Sequence, residues 1–237
     1  MVYRFPFLPS YDFLSAGSVL YGGKGIPNFP VKLANEIFHR CREYSDKKDS
    51  YSIYDPCCGG GYLLTTISFL NYPLIDSVYA SDIDTESLKV AEKNLLLLTT
   101  DGMGKRLKEL NDLFHSYQKV SHQLAIEHAQ KLEKTIQDED VIRSEIFRRN
   151  ILEEPNTHVA FSADIIMTDV PYGNLVTWQG QNGINKMMDN LKLQCNSDTT
   201  IAIIHDKYQK LSSLDYQRME KFKVGKRIIE ILKIDAT

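Results

Sequence analysis

Residues 55–63 read Asp-Pro-Cys-Cys-Gly-Gly-Gly-Tyr-Leu. The aromatic and β-branched run from Tyr51 to Asp55 predicts a strand, and Gly61 to Leu70 predicts a helix. Glycines between a strand and a helix let the backbone approach a ligand closely, because no Cβ stands in the way. The segment therefore predicts an α/β fold with a ligand site at this strand–helix junction.

The rest of the chain continues the alternation of strand and helix patterns. Further predicted elements are helices from Val31 to Tyr44 and Thr85 to Thr99, and strands from Ser77 to Ser81, Ala163 to Thr168, Thr200 to His205 and Arg227 to Ile234. Such alternation indicates βαβ units and a mostly parallel central sheet. We predict a Rossmann-like domain over residues 51–237, preceded by an N-terminal arm and first helix over residues 1–50.

Residues 101–149 interrupt the alternation with a helical insertion. Apolar residues recur there at intervals of three and four, which predicts one long helix. After Asp138 we expect a shorter helix that ends near Arg149, and no strand in between. The insertion is interpreted either as a packed structural element or as a cap that faces the substrate.

The glycine segment lacks a feature of nicotinamide sites, since Gly61 is followed by Tyr62-Leu-Leu64 and no third glycine. The carboxylate of Asp55 would also repel a phosphate, whereas it would hold an amino-bearing or cationic ligand. S-adenosylmethionine carries an ammonium and a sulfonium group and fits these requirements. We predict that Asp55, Cys57, Gly59 and Gly61 bind this cofactor.

A second acidic position follows the next predicted strand. Asp82 lies about 20 residues after the glycines, where such folds bind a ribose diol. Ile83 would then lie against the adenine ring, and Asp84 is expected to cap the helix from Thr85. Asn150 is a further candidate, at the place where such folds contact the adenine amino group.

A third position, Asp169-Val-Pro-Tyr-Gly173, ends the strand from Ala163. A turn of the form Asp/Asn-Pro-Pro-Tyr is typical of methyltransferases that act on planar nitrogens. Asp169 could accept hydrogen bonds from an exocyclic amine and free its lone pair, while Tyr172 could stack on an extruded base. We predict Asp169, Pro171 and Tyr172 as catalytic residues, with Asp169 also facing the cofactor.

These three motifs, in this order, resemble class I S-adenosylmethionine-dependent methyltransferases. The chain is most similar to the AviRa-like ribosomal RNA methyltransferases over roughly residues 10 to 233. The resemblance rests on the entry Phe29-Pro-Val-Lys-Leu-Ala34, the double cysteine Cys57-Cys58, the helical insertion, the Asp169 turn, and Trp178 followed by Gly180-Gln181. Two positions depart from the usual pattern, Gly60 within the loop and Val170 within the turn.

The resemblance implies methylation of a guanine base in large-subunit (23S) ribosomal RNA. The Asp169 turn alone does not distinguish bases from amides. Methylation of DNA adenine or of a protein glutamine amide is therefore an alternative, and an RNA-binding module without catalysis is another. The intact Asp169 turn argues against a binding module without catalysis.

The charge of −3 in 237 residues does not suggest a nucleic-acid partner by itself. Residues 207–237, however, carry eight basic and four acidic side chains, so they are at +4 and the remainder is at −7. We predict that the following residues contact RNA, with the lysines and the arginine binding phosphate: Tyr172, Trp178, Lys24, Lys221, Lys223, Lys226 and Arg227. Tyr172 would stack on the base, and Trp178 would either stack on RNA or pack against the Asp169 turn. Further basic residues in the arm and first helix include Arg4 and Arg40.

Four cysteines without a C-x-x-C pair predict no metal site and indicate a reducing compartment. No apolar run is long enough to span a membrane. We expect a cytoplasmic monomer whose partner is ribosomal RNA or a ribosomal subunit.

Overall fold

A computed structural model describes residues 3–6, 8, 10–15, 17–23, 28–136, 141–154, 161–171, 183–212 and 215–234. Its helices are α1 (Val31–Glu43), α2 (Tyr62–Leu70), α3 (Thr85–Leu96), α4 (Thr100–Tyr117), α5 (Val120–Glu133) and α6 (Gly183–Leu191). Its strands are β1 (Tyr51–Asp55), β2 (Ile75–Asp82), β3 (Arg143–Arg148), β4 (Ala163–Asp169), β5 (Cys195–His205), β6 (Tyr216–Val224) and β7 (Arg227–Ile234).

The seven strands form one sheet in the order β3-β2-β1-β4-β5-β7-β6. Strands β1 to β5 pair in parallel, and β7 joins β5 antiparallel, with β6 outside it. The predicted mostly parallel α/β fold is confirmed. Because β2, β1 and β4 are neighbours, their carboxyl ends lie side by side at one edge of the sheet.

Alternate residues of the central strands point to opposite faces of the sheet. Ile53 and Ile165 face the side that buries apolar residues of α1 to α5. Tyr54 and Ile166 face the other side, where the apolar face of α6 packs. The sheet is therefore covered by helices on both faces, and its loops at the carboxyl edge are fixed by a packed core.

Two strands were missed by the sequence analysis. The shorter helix expected to end near Arg149 is wrong, because Arg143–Arg148 forms β3 in parallel with β2. Strand β6 was not predicted either. Both strands lie at edges of the sheet and alternate only partly between exposed and half-buried residues, so they lack the apolar run that marks a central strand.

The long helix expected in the insertion is two helices, α4 and α5, that pack against each other. Gln118 ends α4 in the left-handed conformation with a φ of 50°, and its amide donates to the Phe114 carbonyl. The apolar spacing continues across this point, which is why the pattern alone predicts a single helix. Among the described residues, no helix is both long and apolar enough to cross a lipid bilayer.

The start of the N-terminal arm is attached to α1. The amides of Arg4 and Phe5 donate to the two carboxylate oxygens of Glu36 at 3.0 and 3.2 Å. The Arg4 guanidinium pairs with Glu220 of β6 at 2.5 Å. Arg40 is buried and pairs with Glu36 and Glu220, so it is not available to RNA phosphates.

Candidate active site

Three aspartates end three neighbouring strands at the same edge of the sheet. Asp55 ends β1, Asp82 ends β2 and Asp169 ends β4. Because β1 lies between β2 and β4, the three carboxyl groups are neighbours, and the charges of Asp82 and Asp169 both raise the pKa of Asp55. The structure thus brings together the three acidic residues that the sequence analysis selected.

Asp55 lies at the centre of this group and is only 2% exposed. Burial raises the pKa of Asp55 to about 7, and the neighbouring charges of Asp82 and Asp169 add to this, while the Cys57 amide opposes it. That amide donates to Oδ1 of Asp55 at 3.0 Å. Ionised Asp55 is costly in such surroundings, and a positively charged ligand would offset the cost.

The glycine loop between β1 and α2 is bonded to the end of β2. The Gly59 amide donates to Oδ2 of Asp82 at 2.8 Å, and the Cys58 amide donates to the Ser81 carbonyl at 2.9 Å. Gly59 and Gly61 have φ values of 51° and 70°, in the region that favours glycine. A Cβ on Gly61 would lie 3.0 Å from Cα of Ala91 in α3.

Asn94 of α3 also holds this loop, and the sequence analysis missed it. Its amide nitrogen donates to the carbonyls of Gly60 at 2.8 Å and Tyr21 at 3.0 Å, and its oxygen accepts from the Tyr21 amide at 2.8 Å. Asn94 is completely buried, next to the apolar residues Ala91 and Leu95. In the sequence, the position of this polar residue beside an apolar helix stripe could have indicated its structural role.

The predicted adenosine contacts lie near the end of β2. Ile83 is 47% exposed, so a large apolar side chain faces solvent directly after Asp82. Asp84 caps α3 as predicted, since its carboxylate accepts from the Ser87 amide at 3.0 Å. Asn150 follows β3 two strands from Asp55, and its side chain is bonded to the Leu152 amide and the Glu153 carboxylate.

The turn after Asp169 is held by β5 and the segment that follows it. The Val170 amide donates to the Ile204 carbonyl at 2.9 Å, and Gln209 donates through Nε2 to the Pro171 carbonyl at 2.9 Å. Gln209 was not selected from the sequence. Tyr172, the third predicted catalytic residue, lies outside the described residues.

The two cysteines of the loop are poor nucleophiles. Burial raises the pKa of both the Cys57 and Cys58 thiols well above the usual range, and the Asp55 charge adds to this. Both side chains pack against the apolar clusters of the sheet. Within the described residues, no three His, Cys, Asp or Glu side chains are arranged to hold a metal ion.

The predicted RNA-contacting residues fall into different surroundings. Lys223 and Lys226 are exposed on the hairpin of β6 and β7, which turns at the carboxyl edge of the sheet. Lys221 is bonded at 2.8 Å to Glu230, a buried carboxylate that also contacts His205 at 3.2 Å. Arg227 reaches toward the carboxyl edge of the parallel strands, with Nε 3.7 Å from Oδ2 of Asp169. Lys24 and Trp178 lie outside the described residues.

A mostly parallel sheet with a glycine loop after β1 and acidic residues ending β1, β2 and β4 defines the class I methyltransferases. Within that class, the family model of the rRNA methyltransferase AviRa matches residues 1–227. The chain therefore belongs to the AviRa rRNA methyltransferase family, which confirms the resemblance found in the sequence.

Individual relatives agree with this assignment. A 23S rRNA (guanine(2535)-N(1))-methyltransferase of Streptomyces viridochromogenes is 31% identical over 221 residues, which cover 90% of this chain and 88% of that protein. A solved structure of the rRNA methyltransferase AviRa from the same organism superposes with a TM-score of 0.88 at 27% identity, over 98% of this chain and 96% of that one. TrmN from Thermus thermophilus shares the fold, with a TM-score of 0.50 at 15% identity, over 84% of this chain and 48% of that one.

Proposed function

We propose that this protein transfers a methyl group from S-adenosylmethionine to N1 of a guanine in 23S ribosomal RNA. The observation that carries the proposal is the group of Asp55, Asp82 and Asp169 at adjacent strand ends, in a chain of the AviRa family. The relative from Streptomyces viridochromogenes, named for N1 methylation of guanine in 23S rRNA, supports the choice of base and atom.

The residues present suit this cofactor. Buried Asp55 and its acidic neighbours provide negative charge for a ligand with an ammonium and a sulfonium group. The Asp82 carboxylate accepts from the amides of Gly59 and Asp84, one on each oxygen, and each oxygen keeps acceptor capacity for a ribose hydroxyl. Exposed Ile83 offers an apolar surface for adenine. Cys57 and Gly61 shape the loop beside it, and Asn150 is a weaker candidate because its side chain is already bonded.

N1 of neutral guanine carries a hydrogen, so its methylation requires the loss of that proton. The task of Asp169 then differs from the one expected for an exocyclic amine: its carboxylate accepts the N1 proton as the N1–methyl bond forms. The bound cofactor supplies an electrophilic methyl group. Positioning the two reactants together accounts for much of the expected rate.

The basic side chains at the same edge suit an RNA substrate. Exposed Lys223 and Lys226 lie on the hairpin of β6 and β7, which turns at the same edge of the sheet as Asp169, where they can contact phosphates around the target nucleotide. A base inside RNA has to be extruded from its stack to reach a carboxylate at the sheet edge. We expect Tyr172 to stack on it, and we keep Lys24 and Trp178 as RNA contacts. A ribosomal substrate also implies action in the cytoplasm.

The test is a methyl-transfer assay with labelled S-adenosylmethionine. Purified protein is incubated separately with naked 23S rRNA, with large ribosomal subunits, with double-stranded DNA and with ribosomal proteins. RNA that becomes labelled is digested to nucleosides and analysed by mass spectrometry. We expect 1-methylguanosine from the ribosomal RNA.

Other products would replace the proposal. N6-methyladenine in DNA or label in protein would support the alternative substrates. Binding of ribosomal RNA without any methyl transfer under these conditions would identify a binding module.

A further inference from the structure

Arg227 is the first residue of β7 and directly follows the hairpin turn at Gly225. Because β7 runs antiparallel to β5, its first residue lies at the carboxyl edge of the parallel strands, beside Asp169. The distance of 3.7 Å between Arg227 Nε and Asp169 Oδ2 is within ion-pair range but longer than a hydrogen bond. The guanidinium is therefore a neighbour of the predicted base and is not locked to it through Nε.

The guanidinium is held in place by the N-terminal arm. Its central carbon lies 5.2 Å from the ring centroid of Phe29, a residue that is itself buried. A guanidinium near an aromatic ring is attracted to the ring face, which restrains the position of the Arg227 side chain. Phe29 belongs to the Phe29-Pro30 entry of α1, so this motif positions a side chain at the catalytic edge.

The Nε group of Arg227 is buried, and among the described residues it has no hydrogen-bond acceptor. Leaving a buried donor of a charged group without a partner is costly. The side chain as a whole is 27% exposed, so other atoms of Arg227 remain accessible at this edge of the sheet. A guanidinium with an unpaired donor can take a partner that the substrate supplies.

The pair formed by Asp169 and Arg227 is complementary to one edge of guanine. That edge presents the N1 hydrogen, a donor, next to O6, an acceptor. The pair presents a carboxylate acceptor next to a guanidinium donor. A guanine whose N1 hydrogen bonds to Asp169 therefore places O6 on the side of Arg227.

We propose that Arg227 is a catalytic residue that donates to O6 of the target guanine and stabilises the negative charge that develops there. This inference rests on the proposed function. In the step, the N1–H bond breaks and its proton goes to Asp169, while the electron pair left on N1 is shared with O6. The N1–methyl bond forms as the methyl–sulfur bond breaks, and S-adenosylhomocysteine leaves as a neutral thioether.

This role differs from that of the lysines on the same hairpin. Lys223 and Lys226 are exposed and suit phosphates, whose contacts contribute to binding in the ground state. Charge on O6 increases only as N1 loses its proton, so the Arg227 contact strengthens in the transition state. Loss of Arg227 should lower kcat, whereas loss of a phosphate contact should raise KM for RNA.

The experiment compares the wild type with Arg227→Met, Arg227→Lys and Arg227→Ala, with Lys226→Met as the matched loss of a positive charge. The substrate is the ribosomal RNA, and the readout is 1-methylguanosine formed under saturating cofactor. We expect kcat of Arg227→Met to fall about 10²–10³-fold, the usual loss of one donor to a developing oxyanion. Lys226→Met should mainly raise KM for RNA.

Two further readouts separate an O6 contact from a merely structural role. Without Arg227, N1 is harder to deprotonate, so the rise of kcat with pH in Arg227→Met should continue to higher pH than in the wild type. Added methylguanidine should restore part of the kcat of Arg227→Ala, and Arg227→Lys should lie between Arg227→Met and the wild type. Calorimetric binding of the cofactor shows whether each variant is folded. If Arg227→Met does not fold, the pH profile of kcat is measured on Arg227→Lys instead.

The two proposals fail in different ways. A wild-type protein that forms no 1-methylguanosine overturns both the proposed function and this role of Arg227. A wild type that forms it, together with an Arg227→Met variant that keeps its kcat or changes only KM for RNA, overturns the role of Arg227 alone. Arg227 would then be a phosphate contact like Lys226.

Discussion

The amide of Gly59 donates a hydrogen bond of 2.8 Å to Oδ2 of Asp82. The other oxygen of Asp82 accepts from the Asp84 amide at 3.0 Å. The residue predicted to bind ribose thus also holds the glycine loop and the start of α3. Cofactor contact and loop conformation depend on the same side chain.

Replacement of Asp82 should therefore weaken cofactor binding more than the loss of a ribose contact alone. We expect Asp82→Ala to reduce affinity for S-adenosylmethionine or S-adenosylhomocysteine about 10²-fold. The ribose contact and the hydrogen bond that holds the glycine loop are both lost, and a hydrogen bond to a charged group is worth about 1.5–3 kcal/mol. Asp82→Asn keeps one oxygen acceptor and should lose less. Isothermal titration calorimetry measures both affinities.

Asp84→Ala serves as a control for this experiment. It removes the α3 cap, whose carboxylate accepts from Ser87, and should lower the free energy of unfolding by about 1 kcal/mol. Cofactor affinity should change little. An unchanged affinity in Asp82→Ala would move the ribose contact to another residue.

The raised pKa of Asp55 predicts that cofactor binding depends on pH. A cationic ligand prefers ionised Asp55, and this carboxyl group titrates at about 7 in the free protein. Affinity should therefore increase as the pH rises toward 7 and level off above it. Binding below pH 7 should release a proton, which calorimetry detects by comparing buffers of different ionisation enthalpy.

The same group makes the stability of the free protein depend on pH. The pKa of Asp55 is raised from 3.8, so the folded state holds the proton more tightly than the unfolded state does. The contribution of Asp55 to the free energy of unfolding is fully present below pH 4 and is lost as the pH rises through about 7. The total loss is up to about 4 kcal/mol. Asp55→Asn should remove this dependence of the free energy of unfolding on pH. It should also remove the proton release on cofactor binding. A wild-type affinity that is flat between pH 5 and 8 would contradict the prediction.

Gly61 should not tolerate a side chain. Its φ of 70° is unfavourable for other residues by about 1–2 kcal/mol, and its Cβ would lie 3.0 Å from the Ala91 backbone, which adds about 1–3 kcal/mol of overpacking. Gly61→Ala should therefore lower the urea midpoint and weaken cofactor binding. Gly17→Ala is the control, since Gly17 has a φ of 82° and open space around its Cβ, so only backbone strain is added. Equal losses in the two variants would show that the contact with Ala91 does not matter.

The glycine loop and the acidic strand ends were predictable because their signals are local. Asp55 directly precedes the glycines, and Asp82 and Asp169 each end a strand whose side chains are mostly buried. In a parallel sheet, local position is enough to place such residues at one edge. The central strands and α1 to α3 were predicted for the same reason, from apolar patterns within single segments.

The remaining features depend on contacts between distant segments. Edge strand β3 is half exposed, so its composition resembles that of a polar surface helix. Gln209 lies 38 residues from the Pro171 carbonyl that it holds. Arg227 was predicted to bind phosphate, yet its approach to Asp169 depends on the antiparallel pairing of β7 with β5. No periodicity within a segment reports such a pairing.

Asp169 gives the most direct test of the chemistry. Asp169→Asn keeps the size of the side chain but cannot accept the N1 proton as a carboxylate does, so kcat should fall about 10²–10⁴-fold. Cofactor affinity, measured by calorimetry, should fall much less than kcat, because Asp55 and Asp82 still hold the ligand. The matched control is Asp164→Asn on the same strand, where Asp164 accepts from the Ser52 amide and pairs with Lys47 at the opposite edge of the sheet. Asp164→Asn should lower the free energy of unfolding and leave kcat unchanged. If Asp169→Asn keeps the rate of the wild type in a single-turnover assay, the proton passes to another group and Asp169 only positions the base.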